Sequence, residues 1–106
     1  MTKDREKYFQ REYKDGTKVV WGKAVSRQLA RLPGQIVEKF HAWVVAVTVA
    51  GIRQVRVRPG LHDEPLKGEW FGARSVRLSR SYRVIYREHS SGTMVIEVIG
   101  VNKHGY

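Results

Sequence analysis

Partway along this sequence the spacing of apolar residues changes from helical to alternating, and few folds accommodate that order in 106 residues. In segment 23–31, Ala24, Val25, Leu29 and Leu32 recur as one face of a helix, until Pro33 and Gly34 break the pattern. A second helix is expected over 35–50, burying Ile36, Val37, Phe40, Trp43, Val44 and Val47. Its Val-rich end, 44–49, also suits a strand, so that boundary stays open. Ahead of the helices, 17–21 is a β-branched run after the turn signal Asp15-Gly16. Behind them, 51–67 reads as a long connection with a turn at Pro59-Gly60. Three strand-like segments follow, 74–79, 82–88 and 93–101, with Ser90-Ser91-Gly92 turning between the last two. The expected fold is α+β: two N-terminal helices packed on a twisted, mostly antiparallel sheet of four to five strands, the first strand lying beside the final meander. Residues 18–106 form this domain, and 1–17 a polar N-terminal extension, mobile or weakly helical, whose five basic and four acidic side chains nearly cancel.

The domain therefore holds nearly all of a net charge of +10, from 20 Lys and Arg against 10 Asp and Glu. Such an excess on a small chain points to a polyanionic partner. Nucleic acid leads, while an acidic protein or an anionic membrane surface satisfies the same electrostatics. The chain has no Cys, which excludes disulfides, thiolate catalysis and a Cys-ligated zinc site. Its start is charged throughout, unlike a signal peptide, and no stretch is long enough to span a bilayer, so a soluble cytoplasmic protein is expected.

Alternation sorts the strand residues onto two faces. Val76 and Leu78 point one way, Arg77 and Ser79 the other; Val84 and Tyr86 oppose Arg83, Ile85 and Arg87. One sheet face is thus available to the helices, and the other either displays cations as a bed for RNA or is an ordinary solvated surface. Metal-free RNA cleavage needs a base for the 2′-hydroxyl, cations for the phosphorane and an acid for the leaving 5′-oxygen. Glu64, Lys67, Arg83, His104 and Tyr106 supply those groups. Each also has an ordinary reading, Glu64 as a cap and His104 as a surface residue on a terminus. His62 and Asp63 read as loop filler, and Trp70 and Phe71 as core or loop anchors. The spacing of His62, Asp63, Glu64 and His89 matches no metal-ligand motif, so neither a metal nor another cofactor is expected.

Three segments in order, Asp-Glu-Pro-Leu-Lys-Gly (63–68), Arg-Ser-Val-Arg-Leu-Ser-Arg-Ser-Tyr-Arg-Val-Ile-Tyr (74–86) and the closing Lys-His-Gly-Tyr (103–106), make residues 18–106 resemble the RelE/ParE toxin superfamily and its YoeB-like branch. The resemblance implies an antitoxin-controlled ribonuclease that cuts messenger RNA in the ribosomal A site and leaves a 2′,3′-cyclic phosphate. It assigns Glu64 as general base, Arg83 as the phosphate-stabilising cation, His104 as general acid and Tyr106 as a substrate-positioning ring. Lys67, Arg77, Arg80 and Lys103 become substrate contacts. One departure stands out: Gly105 separates His104 from Tyr106, whereas YoeB-like chains carry the two side by side.

The implied partners are a cognate antitoxin, the message and the ribosome, with no membrane and no small-molecule cofactor. Two rival readings remain: a ParE-like toxin of the same fold that inhibits DNA gyrase by binding, and an RNA-binding module without catalysis. An acid and a base at one phosphate would serve neither.

Overall fold

In the computed structural model, which describes residues 8–12, 17–91 and 93–103, Pro33 separates two helices as its chemistry requires. α1 spans Lys23–Ala30 and α2 spans Gly34–Ala50. On α2 the buried residues Ile36, Phe40, Trp43, Val44, Val47 and Thr48 follow helical spacing, so the Val-rich end is helix and not strand. Gly51 closes α2 with φ +87°, a conformation open to glycine at little cost, and its N–H donates to the Val47 carbonyl. The chain then turns directly into a short helix, α3 (Ile52–Arg56), within the stretch expected to be a connection. α3 buries Ile52 and Val55.

The sheet has the order β1-β2-β6-β5-β4-β3. Its strands are β1 (Tyr8–Glu12), β2 (Lys18–Gly22), β3 (Glu64–Pro65), β4 (Arg74–Arg77), β5 (Tyr82–Ser91) and β6 (Thr93–Lys103). The four central strands are those the alternation pointed to, and β1 and the two-residue β3 extend the edges. β2 runs parallel to β6, since α1 and α2 carry the chain across one face, and every other pair is antiparallel. Residues 8–12, expected within a mobile or weakly helical extension, form a strand paired to β2 from Tyr8↔Gly22 to Glu12↔Lys18. Backbone hydrogen bonds suffice for such an edge, and the short segment Tyr-Phe-Gln-Arg-Glu, which has no apolar alternation, carried no strand signal.

Between helices and sheet lies one core that includes Val19, Trp21, Phe40, Trp43, Val76, Val84, Tyr86, Ile96 and Val98. Aromatic rings link its layers: Trp21 meets Phe40 edge-on at 5.2 Å, and Trp43 meets Tyr86 at 5.5 Å. Phe71, read from the sequence as a core or loop anchor, is instead 79% exposed, because Gly72, with φ +95°, turns the chain there. Among the described residues no helix is long and apolar enough to cross a membrane.

Candidate active site

The loop leading to β3 is fastened residue by residue. Leu61 accepts a hydrogen bond at its carbonyl from the Arg77 N–H at 2.6 Å, and Leu66 donates to the Ala73 carbonyl at 2.9 Å. Between them His62 adopts φ +47°, a left-handed conformation in which His is among the more tolerated residues, and its carbonyl accepts from Arg83 Nη2 at 2.9 Å. Asp63, next in line, has a side chain with no exposure. Its Oδ2 accepts from the Tyr86 hydroxyl at 2.5 Å, its Oδ1 from Arg74 Nε at 2.6 Å, and Arg56 Nε stands 4.0 Å away. Arg56 in turn pairs with Glu88. Asp63, read from the sequence as loop filler, is thus the ionic anchor of the loop, since a buried carboxylate persists only when paired and hydrogen-bonded.

Glu64 follows, opposite Ser75 in the β3–β4 pair, and its side chain is 62% exposed. Its Oε2 lies 3.8 Å from Arg83 Nη2. Arg83 is only 6% exposed; besides the His62 carbonyl it donates through Nε to the Ser75 hydroxyl. Its guanidinium is therefore held on two sides before any ligand arrives. The Glu64–Arg83 pair adds little stability by itself, since one partner is solvated. Its value is geometric: a fixed cation and an accessible carboxylate converge on one spot.

Arg77 stands directly across the β4–β5 ladder from Arg83, and its buried Nε has no hydrogen-bond partner among the described residues. That register brings the two backbones together, while the Arg77 residue lines a neighbouring groove with Trp43, Val55, Arg58 and Leu78. The face is not the open cationic bed that simple alternation suggested, because Ile85 is fully buried and Arg83 nearly so. Lys67 and Arg80 are exposed, the one before the 3-10 turn Gly68–Trp70 and the other in the turn between β4 and β5. Lys103 is exposed at the end of β6, paired with Tyr82, one position beyond the Arg83–Asn102 pair. His104 and Tyr106 lie outside the described residues, although His104 follows Lys103 directly in the chain.

The sequence reading missed Ser75, the His62 carbonyl, Asp63 and Asn102. Alternation held the signal for Ser75, which shares a strand face with Arg77. A main-chain carbonyl leaves no sequence signal.

Burial, then the hydrogen bond and charge of Asp63, raise the pKa of the Tyr86 hydroxyl far above its usual 10.0. On Arg74 burial works against the charge, but the Asp63 hydrogen bond and charge outweigh it and raise that pKa as well. The neutral phenol is therefore the form the fold retains, and its contribution is complete below pH 10 and is lost only as pH rises through the raised value. In an absorbance titration a tyrosine ionisation step well above pH 10 is expected, and Tyr86→Phe to remove that late step.

No family model matches the sequence, and neither does any curated protein. Solved structures do. The YoeB/ParE toxin from Agrobacterium tumefaciens superposes with a TM-score of 0.63 at 25% identity, covering 82% of this chain and 98% of that one. The toxin–antitoxin complex RelBE2 from Mycobacterium tuberculosis gives a TM-score of 0.56 at 26% identity, covering 81% and 95%. The YoeB–YefM complex from Staphylococcus aureus shares the fold alone, with a TM-score of 0.62 at 14% identity over 90% and 99% of the two chains. Because two of its three motif segments meet around Arg83 and these folds match it over nearly their whole length, this chain belongs to the RelE/ParE toxin superfamily, with YoeB-like members among its structural neighbours.

Proposed function

We propose that this chain is the toxin of a type II toxin–antitoxin system and acts as a metal-independent, ribosome-dependent endoribonuclease on messenger RNA. The observation that carries the reading is the prefixed Arg83 guanidinium 3.8 Å from the exposed Glu64 carboxylate. In the reaction Glu64 takes the proton from a ribose 2′-hydroxyl, whose oxygen attacks the adjacent phosphorus. Arg83, with Arg77 opposite, offsets the charge gathering on the phosphorane oxygens. His104 protonates the departing 5′-oxygen, leaving one fragment with a 2′,3′-cyclic phosphate and the other with a 5′-hydroxyl. Tyr106 positions the substrate beside it, and Lys67, Arg80 and Lys103 hold flanking phosphates.

The structural neighbours support control by a partner, since RelBE2 and YoeB–YefM are toxin–antitoxin complexes. A cognate antitoxin with an acidic segment that folds on binding would cover Arg83 and the carboxyl-terminal tail. The gyrase-binding alternative needs no acid or base at all, which gives the discriminating experiment. Expression of the wild type without an antitoxin arrests growth, and His104→Gln, which removes the general acid, lowers message cleavage by roughly a hundredfold or more and relieves the arrest. Undiminished arrest by a soluble His104→Gln protein would point to the gyrase reading instead.

A further inference from the structure

Positive charge also gathers at the open edge of β6, apart from Arg83. β2 covers β6 only between Val95 and Glu97. Further along, α1 lies beside the strand, and Val101 donates its N–H to Gln28 Oε1 at 2.9 Å. Between helix and strand runs a groove of about 430 Å³ whose walls include Arg27, Gln28, Arg31, Tyr82, Asn102 and Lys103.

Arg27 in the last turn of α1 and Arg31 at its C-cap are four residues apart, so both cations stand at the carboxyl end of the helix. No Asp or Glu lines the groove, and among the described residues no carboxylate pairs with Arg27, Arg31 or Lys103. Cations near a helix carboxyl end do favour its dipole, which accounts for Arg27 and Arg31 but not for Lys103 on another element. Nor does it account for Gln28. With its oxygen committed to Val101, the amide nitrogen presents two donors and no acceptor. The combination of two guanidiniums, an ammonium and a fixed amide donor fits a tetrahedral oxyanion.

Asn102 ties this groove to the site, because it stands directly opposite Arg83 across the β5–β6 ladder and also forms part of the groove wall. Because β5 and β6 are adjacent and Asn102 belongs to both the Arg83 pair and the groove wall, a nucleic acid strand with one phosphate at Arg83 need cross only one β-strand to reach the groove, whereas an acidic peptide gains nothing from that adjacency. We propose that the groove of Arg27, Gln28, Arg31 and Lys103 binds a backbone phosphate of the same RNA strand that is cut, flanking the scissile one and setting the register of the message. The inference rests on the ribonuclease reading. Phosphate contacts of this kind position a strand without reading its bases.

The test uses the full chain and uncleavable, fully 2′-O-methylated single-stranded RNA, a trimer and a decamer, with fluorescence anisotropy followed over a range of salt. Arg27→Gln with Arg31→Gln is expected to weaken the decamer about tenfold and to flatten its log–log salt dependence by about 0.7 for each phosphate that is no longer held. Trimer binding stays unchanged, and Arg27→Lys with Arg31→Lys restores the salt dependence. Unchanged decamer affinity and salt dependence in a Gln variant that melts like the wild type would overturn the proposal. So would a loss confined to a polyglutamate peptide, which would make the groove a protein-docking site. A wild type whose decamer binding depends on Arg27 and Arg31, yet which cuts no message on ribosomes, would uphold the groove and end the ribonuclease reading.

Discussion

Arg83→Ala is expected to lower single-turnover message cleavage by about 10²–10³-fold, the scale on which fixed donors to a developing oxyanion act. The loss exceeds that of an exposed cation because this guanidinium is already desolvated and oriented by Ser75 and the His62 carbonyl. Lys at the same position keeps the charge but not the planar fork, so Arg83→Lys recovers only part of the rate. Removal also leaves the His62 carbonyl without that donor, and the Ala variant should lose about 1–3 kcal/mol in urea denaturation. Rates are therefore compared well below its melting temperature. Cleavage by folded Arg83→Ala at the wild-type rate would remove the cation from the mechanism.

Asp63→Ala is expected to have the larger effect on stability. Its carboxylate is wholly buried between Tyr86 and Arg74, with Arg56 near, and removing one partner of a buried ionic cluster costs about 3–5 kcal/mol. Chemical denaturation at neutral pH measures this directly. Asp63→Asn keeps an acceptor for Tyr86 but gives up the charge facing Arg74, so it should fall between wild type and Ala. Because Asp63 precedes Glu64, loosening this anchor should also slow cleavage in whatever fraction remains folded. A loss below about 1 kcal/mol for Asp63→Ala would mean that the cluster does not hold the loop.

These two variants also mark where the sequence stops being informative. The helices were legible because Ile36, Phe40 and Trp43 repeat with helical spacing and Pro33 allows few alternatives, while the Val-rich end, 44–49, stayed open to strand until burial of Val44, Val47 and Thr48 fixed it as helix. The strands were legible through alternation such as Val76 and Val84 against Arg77 and Arg83. α3 was not, since five residues are too few to display a period, and β1 was not, since its pairing is a main-chain property. In the site, Glu64 and Arg83 were found through family resemblance, because no spacing rule connects a loop carboxylate to a strand cation that folding brings to 3.8 Å. Asp63 escaped for a related reason: a charged loop residue is usually solvated, and only the three-dimensional meeting of Tyr86, Arg74 and Arg56 makes it a buried anchor.

Mapping message ends after incubation with programmed ribosomes tests most directly whether Glu64 and Arg83 act on one phosphodiester. Wild type should yield discrete cuts ending in 2′,3′-cyclic phosphate, Glu64→Gln should reduce them about 10²–10⁴-fold, and a 2′-deoxy substitution at the cut position should abolish cleavage there. Cleavage at the 2′-deoxy position, or equal cutting by Glu64→Gln, would contradict the account.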